Sequence, residues 1–433
     1  MILCILRGKK NKIFKGKVVS NRALTLHRRI PFFYGWVVVG VAFCVSFLSF
    51  GMFTYVRGIY LPLFADAFAV GRFDVTLGWT AEGVVAGCFA PFLGWCLDRF
   101  SPRRILLFGL TLVVIGYVLL AVVTELWQFY LVMSICYGMG MTSLGAFTVQ
   151  RLTVSWFTTH RGLALSLVIL GASVSGMVMP TVCVWLKDLV GWQNSLIALG
   201  MGMGLLLYPM AILLLRDTPA SMGLQPDGAE SLSEGMAQGE EVQAAEVLRN
   251  VSFWNIVFVF GVIMCAFGVV TIHAFGHFKE VGLSDYQAAG GLFVMTLCAA
   301  VGKPIIGWLT DRLGARVSIW ISLVMLGVGL MLLANVVSFL LMTIAMGVFG
   351  FGYAGMLPLR SYAVAATVGN RSFGLGNGLM NFAILPLTLG ASPFAARVFD
   401  LTGSYGMAFQ SLVALLVIAA VCPLFIEGGG QQK

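Results

Sequence analysis

Charged residues are scarce in this 433-residue chain, at 10% of the sequence. An ordinary soluble domain carries roughly 25%, because its surface must be covered with polar groups. Hydrophobic residues make up 59%, far more than one buried core can use. This composition excludes a soluble enzyme and a disordered chain. What remains is a chain suited to a lipid bilayer.

Motifs for metal, cofactor and nucleotide chemistry are also missing. The nine cysteines are scattered singly without a CxxC pair, so we expect no disulfide framework and no metal cluster. His273 and His277 lie one helical turn apart without an evident third metal ligand. No GxxxxGKS/T loop is present, which excludes an ATP-driven motor in this chain. With no nucleophile–base pair visible, we expect neither an enzyme nor a bound cofactor.

Long apolar runs dominate what is present. A membrane helix needs about 20 apolar residues, and charged or turn residues separate twelve such runs. The predicted spans are 34–60, 75–97, 103–123, 127–152, 161–186, 192–215, 252–278, 286–309, 316–334, 337–362, 373–398 and 404–426. We therefore predict an all-α membrane protein with twelve transmembrane helices.

The longest polar stretch divides these spans into two sets of six. The predicted parts are a basic N-terminus at 1–33, a first six-helix bundle at 34–216, a central loop at 217–250, a second six-helix bundle at 251–427 and a tail at 428–433. The sequence leaves the role of the acidic central loop open.

The two bundles share landmarks at a near-constant offset. Gly94 and Asp98, near the end of the second span, recur as Gly307 and Asp311 in the eighth span, 213 residues later. Other glycine and arginine landmarks are related by similar offsets. Internal repeats of this kind place a substrate path at the interface between the two halves.

Basic residues lie mainly on one side of this layout. The net charge is +9, and nine of the 27 basic residues precede residue 30 without an acid among them. Nineteen basic residues fall in the termini or in loops on the same side, and only four fall on the other side. The positive-inside rule then predicts that both termini are cytoplasmic. The basic N-terminal cluster is typical of segments that contact anionic lipid, and it does not indicate nucleic-acid binding.

The segment Gly94–Arg104 reads Gly-Trp-Cys-Leu-Asp-Arg-Phe-Ser-Pro-Arg-Arg and resembles the helix 2–3 signature of the major facilitator superfamily. Tyr34-Gly35-Trp36 and the junction at His160-Arg161 resemble the superfamily's monocarboxylate-transporter and oxalate/formate-antiporter branch. The resemblance implies two pseudo-symmetric six-helix bundles in the major facilitator fold. It also implies that the protein transports small organic anions, in particular monocarboxylates, by alternating access. Transport would be coupled to proton symport or to anion exchange.

The same resemblance assigns a conformational role to the charged turns. An aspartate there can lie near the positive end of a neighbouring helix, and a glycine allows close helix packing. The predicted gating residues are Gly94, Asp98, Arg99, Arg103, Arg104, Gly307, Asp311, Arg312, Arg161 and Arg371.

Lys303 is the predicted carboxylate contact. Lys303-Pro304-x-x-Gly307 matches the spacing of a basic residue that contributes to carboxylate binding in the family's monocarboxylate transporters. An anion in a low-dielectric cavity needs a fixed cation, although a lysine here could instead snorkel to the interface. Two positions depart from the family. Ala299 stands where proton-coupled members often carry an aspartate, and Thr54 where they carry a lysine, with Arg57 one turn later.

Other polar residues inside spans extend the candidate site, because burying them in lipid is expensive. Glu82 is a candidate proton carrier or a partner in an interhelical hydrogen bond. His273 is a candidate for substrate contact and for proton coupling, or a packed interfacial histidine. The predicted substrate contacts are Lys303, His273, Thr54, Arg57 and Asn381.

Several alternatives stay open from the sequence. Arg151 and Arg360, near the inner ends of the fourth and tenth spans, are expected to snorkel or to act at a gate, with substrate contact as the alternative. An exporter of a neutral or cationic compound on the same fold is one alternative function, and a receptor or sensor that does not transport is another. We expect a monomer in the bacterial plasma membrane, with the anion, membrane lipids and protons as partners.

Overall fold

The computed structural model describes residues 33–227, 244–368 and 373–425. The basic N-terminus, much of the central loop and Arg371 lie outside this range. The described residues are almost entirely helical, and their β-structure consists of one isolated bridge between Phe157 and Asp227.

Twelve long helices, α1 to α12, follow one another through the described residues, and short helices lie at Pro219–Met222, Ala244–Arg249 and Cys422–Phe425. Their bounds are Gly35–Phe50, Gly51–Tyr55 and Arg57–Phe68 (α1), Arg72–Arg99 (α2), Pro102–Leu120 (α3), Leu126–Val132, Met133–Met139, Gly140–Leu144 and Ala146–Trp156 (α4), Arg161–Val190 (α5), Trp192–Pro209 and Met210–Leu214 (α6), Val251–Glu280 (α7), Asp285–Leu313 (α8), Ala315–Ala334 (α9), Phe339–Ala354 and Met356–Val368 (α10), Phe373–Thr402 (α11) and Gly406–Ala419 (α12). Eleven are long and apolar enough to cross a membrane, and α10 is assembled from two shorter pieces.

The predicted all-α membrane fold is confirmed, with one clear difference at the end of α1. The helix continues to Phe68, beyond the predicted end at residue 60. Its buried face continues through Leu61 and Phe64, and the helix ends at Ala69, which adopts a left-handed φ of 52°.

The packing of the first six helices is repeated by the last six. In the first bundle α1 packs on α5, α2 on α4, and α3 on both α4 and α6. In the second bundle α7 packs on α11, α8 on α10, and α9 on both α10 and α12. The internal repeat seen in the sequence therefore corresponds to a repeated three-dimensional unit.

Three helix pairs join the two bundles: α1 with α7, α2 with α11 and α5 with α8. Glycine is required at two of these contacts. A Cβ at Gly176 would lie 2.3 Å from Thr296 Cγ2, and one at Gly58 would lie 2.6 Å from the carbonyl oxygen of Ile272. Because helices alternate in direction, the bundle has a near end, where α1 begins, and a far end, where α1 finishes.

Chain leaving α6 is fixed to the near end of the first bundle. Asp217 accepts hydrogen bonds from Ser101 Oγ (2.6 Å) and from the backbone N–H of Arg103 (2.9 Å), at the start of α3. Trp156 Nε1, at the end of α4, donates to the carbonyl oxygen of Arg216 at 3.0 Å. These contacts tie the first residues of the central loop to the first bundle.

Candidate functional site

A cavity of ≈ 690 Å³ lies between the two bundles. Its wall comes from α1, α2 and α4 on one side and from α7, α10 and α11 on the other. Wall residues on α2 lie between Glu82 and Pro91, and those on α11 between Gly378 and Thr388. Both stretches occupy the middle and near parts of their helices. The cavity therefore lies in the middle and near half of the protein.

The far end is closed by hydrogen bonds and an ion pair between the bundles. The Asp400 carboxylate accepts from the backbone N–H of Arg72 (3.0 Å) and of Phe73 (2.8 Å), at the start of α2. The Arg72 guanidinium pairs with Glu280 at 2.7 Å and donates to the Tyr405 hydroxyl at 3.0 Å. We call Arg72, Glu280, Asp400 and Tyr405 the far gate. Its members come from both bundles, so these contacts must break when the far end opens.

A second link closes the far end between α5 and α8. Lys187, in the last turn of α5, pairs with Asp285 at the start of α8, and Lys279 contacts the same carboxylate. Lys187 thus links the two bundles, whereas Lys279 and Asp285 both belong to the second bundle.

Three of the predicted site residues, Thr54, Glu82 and Asn381, lie in the cavity wall. Thr54 belongs to the π-helical turn Gly51–Tyr55, and such turns are frequent at functional sites. A smaller cavity of ≈ 210 Å³ adjoins this region and is lined by Thr54, Arg57 and Glu82 together with residues of α7 and α11.

Arg57 and Glu82 form an ion pair within the first bundle. Arg57 Nη2 lies 3.0 Å from Glu82 Oε2, and its guanidinium stacks over the ring of Phe53 at 3.7 Å from the ring centre. Arg57 Nε is buried without a hydrogen-bond partner in the described structure. The carboxylate therefore neutralises this cation, and one donor remains available.

Arg360 lies in the cavity wall and has no acidic partner among the described residues. Its Nη2 donates to Asn381 Oδ1 at 2.6 Å and to Asn377 Oδ1 at 3.2 Å. Its Nε is buried and makes no hydrogen bond within the described part of the chain. The sequence predicts an interfacial or gating role for this arginine, with substrate contact as the alternative. Asn377 and Asn381 lie one helical turn apart on α11, and this spacing could have indicated from the sequence that α11 faces a hydrogen-bond donor.

Lys303 lies outside the cavity wall. Its Nζ donates to Ser173 Oγ of α5 at 2.7 Å, at the contact between α5 and α8. Lys303 is half-buried and does not belong to the wall of the large cavity. The structure thus does not bring Lys303 together with Thr54, Glu82 and Asn381.

His273 is fully buried on α7 behind the far gate. Its Nε2 lies 3.0 Å from both the carbonyl oxygen and Oγ of Ser392, and its Nδ1 lies 3.2 Å from the Tyr405 hydroxyl. Since a carbonyl only accepts, Nε2 carries the hydrogen and Nδ1 accepts from Tyr405. His277 bonds the carbonyl oxygen of Leu333 at 2.9 Å. Among the described residues no group of three possible metal ligands occurs.

The repeated turns end α2 and α8 in the same way. The Arg99 guanidinium stacks on Trp95 at 4.4 Å from the ring centre, and Arg312 stacks on Trp308 at 4.7 Å. Arg103 Nη2 donates to the carbonyl oxygen of Ile212 at 2.6 Å.

The remaining predicted gating residues lie at helix ends. Arg161 is exposed and opens α5, and Arg104 is exposed in the first turn of α3. Within the described structure, a Cβ at Gly94 or Gly307 would meet nothing within 4 Å, so close packing does not require these glycines in this conformation. The side-chain contacts of Asp98 and Asp311 lie outside the description.

Comparisons with known proteins agree with this architecture. The chain is 25% identical over 391 residues to the MFS-type transporter YcxA of Bacillus subtilis (strain 168), covering 84% of this chain and 86% of the relative. It is 25% identical to monocarboxylate transporter 13 of Bos taurus, with coverages of 89% and 87%.

Solved structures give the same fold. A bacterial homologue of the human lysosomal transporter Spinster, in an inward-facing and unoccupied conformation, superposes with a TM-score of 0.69 at 14% identity, covering 91% of this chain and 97% of that chain. The nucleoside transporter NupG gives a TM-score of 0.68 at 14% identity, with coverages of 90% and 100%.

The family model of the Major Facilitator Superfamily matches residues 39–302 and 279–429, which confirms the resemblance seen in the Gly94–Arg104 segment. The protein is a multi-pass membrane transporter and not an enzyme. This chain belongs to the major facilitator superfamily.

Proposed function

We propose that this transporter carries small organic anions, in particular monocarboxylates, by alternating access. One observation carries the proposal: Arg360 faces the cavity between the bundles and has no acidic partner among the described residues. A cation held by neutral amides in a low-dielectric wall can pair with a carboxylate. The similarity to monocarboxylate transporter 13 supports the same substrate class.

The far gate supports alternating access as the mode of transport. In this conformation the far end is closed, and the cavity occupies the middle and near half. Opening the far gate while closing the near end would expose the same cavity to the other side of the membrane. We assign the near end to the cytoplasm and both termini with it, because the basic residues concentrate there. We propose that the protein is a monomer in the bacterial plasma membrane.

We propose Arg360, Asn381 and Thr54 as substrate contacts, with Arg57 joining them when Glu82 is protonated, and keep Lys303 as a further candidate cation. His273 is better suited to supporting the far gate, since both ring nitrogens are already engaged.

For coupling we propose Glu82, which pairs with Arg57 next to the cavity. Protonation of Glu82 would break the ion pair and release Arg57 to the substrate carboxylate. Proton and anion would then be carried together without a net change of charge. Anion exchange is the alternative, in which the pair stays intact throughout the cycle.

The test is uptake into proteoliposomes from a panel of labelled carboxylates, with and without a pH gradient. Arg360→Gln should lose most uptake at low substrate concentration, since losing a hydrogen bond to a charged group costs about 1.5–3 kcal/mol, or roughly tenfold to a hundredfold in affinity. Arg249→Gln is the matched control, because Arg249 is exposed just before α7 and lies outside the cavity wall. Equal uptake by Arg360→Gln and wild type would refute the anion assignment.

Coupling is tested on the same vesicles. Glu82→Gln should lose uphill uptake driven by the pH gradient and keep exchange at equal concentrations. A Glu82→Gln variant that still concentrates substrate with the gradient would exclude Glu82 as the proton carrier. A wild type that ignores the gradient would favour exchange.

Export of a neutral or cationic compound is the second candidate. The Glu82 carboxylate in the cavity wall favours it, because this group could pair with a cation if Arg57 moved away. Competition by amines, and none by carboxylates, would favour this candidate.

A further inference from the structure

Three phenylalanines of the cavity wall are exposed and not packed into a helix contact. Phe50 of α1, Phe147 of α4 and Phe382 of α11 all belong to the cavity wall. Their side chains are 40%, 56% and 74% exposed. They come from both bundles, so they present apolar surface to whatever occupies the space between them.

The size of the cavity agrees with a bulky occupant. Its ≈ 690 Å³ falls within the range of about 300–1,000 Å³ that holds drug-sized ligands. A two- or three-carbon carboxylate bound at Arg360 would fill a small part of this space and would leave the exposed rings in water. A larger apolar body would cover them.

The polar groups of the wall suit a single anionic head. Arg360 supplies the one cation in the described wall of the large cavity, with Asn381 beside it. The Glu82 carboxylate in this wall is paired with Arg57, and the remaining polar lining comes chiefly from hydroxyl groups such as those of Thr54 and Thr388. The wall therefore offers one anion contact and a wide apolar surface.

Resting on the proposed anion transport, we propose that the substrate is a monocarboxylate with an aromatic or comparably bulky apolar body. The carboxylate pairs with Arg360, and the body lies against Phe147 and Phe382. Aromatic rings in such a site pack edge-to-face or offset against phenylalanine.

Binding to the purified full-length transporter tests this with four probes: 3-phenylpropionate, propionate, the neutral 3-phenylpropionamide and the cationic 3-phenylpropylamine. We expect 3-phenylpropionate to bind at least tenfold more tightly than propionate. Arg360→Gln should weaken its binding about tenfold or more. Phe382→Ala should weaken the binding of 3-phenylpropionate about tenfold and leave the binding of propionate unchanged.

Two controls keep the test independent of folding. Phe382→Leu retains most of the apolar volume and should fall between wild type and Phe382→Ala. Phe394→Ala removes an exposed ring from the same helix outside the cavity wall and should bind 3-phenylpropionate as the wild type does.

The outcomes separate this inference from the proposed function. Propionate binding as tightly as 3-phenylpropionate, with the same dependence on Arg360, would overturn the inference and leave anion transport standing. The amide or the amine binding as tightly as the acid, regardless of Arg360, would overturn anion transport. Equal losses in Phe382→Ala and Phe394→Ala would also overturn the inference, and no binding of either carboxylate would overturn both.

Discussion

Removing the Asp400 carboxylate tests how the far end is held shut. This carboxylate accepts two backbone hydrogen bonds at the start of α2, at 3.0 and 2.8 Å, so one bundle supplies the N-cap of a helix in the other. Losing an N-cap costs about 0.5–2 kcal/mol, typically about 1. Asp400 is exposed, so the typical value applies and not that of a buried charged hydrogen bond. Asp400→Ala should shift the equilibrium by about 1 kcal/mol, roughly fivefold, toward the far-open state.

The shift can be measured as a distance distribution between spin labels on the two bundles. Val122 follows α3 and Val337 precedes α10, both at the far end and both exposed. Labels on cysteines at these positions, in a background without the native cysteines, should show a larger long-distance population in Asp400→Ala than in the parent. Asp400→Asn should be intermediate, because an amide oxygen still accepts one bond.

The matched control is Asp66→Ala, which removes an exposed carboxylate from the same end of α1. Asp66 makes no ion pair in the described structure, so its loss should leave the distances unchanged. The capping argument is wrong if Asp400→Ala leaves the distribution unchanged, or if Asp66→Ala shifts it equally.

Three further predictions concern contacts between the bundles and the near-end turns. Gly176→Ala places a Cβ 2.3 Å from Thr296 Cγ2, so the same spin labels should report a far-open shift of about 1–3 kcal/mol, the usual cost of overpacking; an unchanged distribution would contradict it. Lys303→Ala should weaken carboxylate binding to the purified protein if Lys303 contacts substrate; if Lys303 only bonds Ser173, binding per folded molecule should be unchanged. Asp98→Asn should slow transport while equilibrium binding stays within a few-fold, and the reverse pattern would exclude a conformational role.

The helices and their division into two sets of six were predictable from the sequence, because the bilayer sets the length of each helix. Each apolar run must cover the hydrocarbon layer, so charged and turn residues mark its ends within a few positions. The repeat of Gly94 and Asp98 as Gly307 and Asp311 then indicated two equivalent bundles. The end of α1 was missed because its buried face continues through Leu61 and Phe64.

The face that each helix turns to the cavity was much harder to predict. Lys303 and Arg360 look alike in sequence, since each is a single cation inside an apolar span. In a soluble helix the polar side reveals which side is buried, but lipid and neighbouring helices both accept apolar residues, so this contrast is missing here. Only the structure separates Lys303, bonded to Ser173, from Arg360 in the cavity wall.

The placement of Arg57 and Glu82 in one bundle has a consequence for the membrane potential. The pair moves with the first bundle and carries no net charge, whereas Arg360 belongs to the second bundle and lacks an acidic partner among the described residues. A bound monocarboxylate cancels one positive charge, and a proton on Glu82 restores one by leaving Arg57 without its partner, so the empty and the fully loaded transporter carry the same charge. Each elementary charge that crosses 100 mV is worth about 2.3 kcal/mol. Since the two forms carry the same charge, net proton-coupled transport should be driven by the pH gradient and not by the membrane potential.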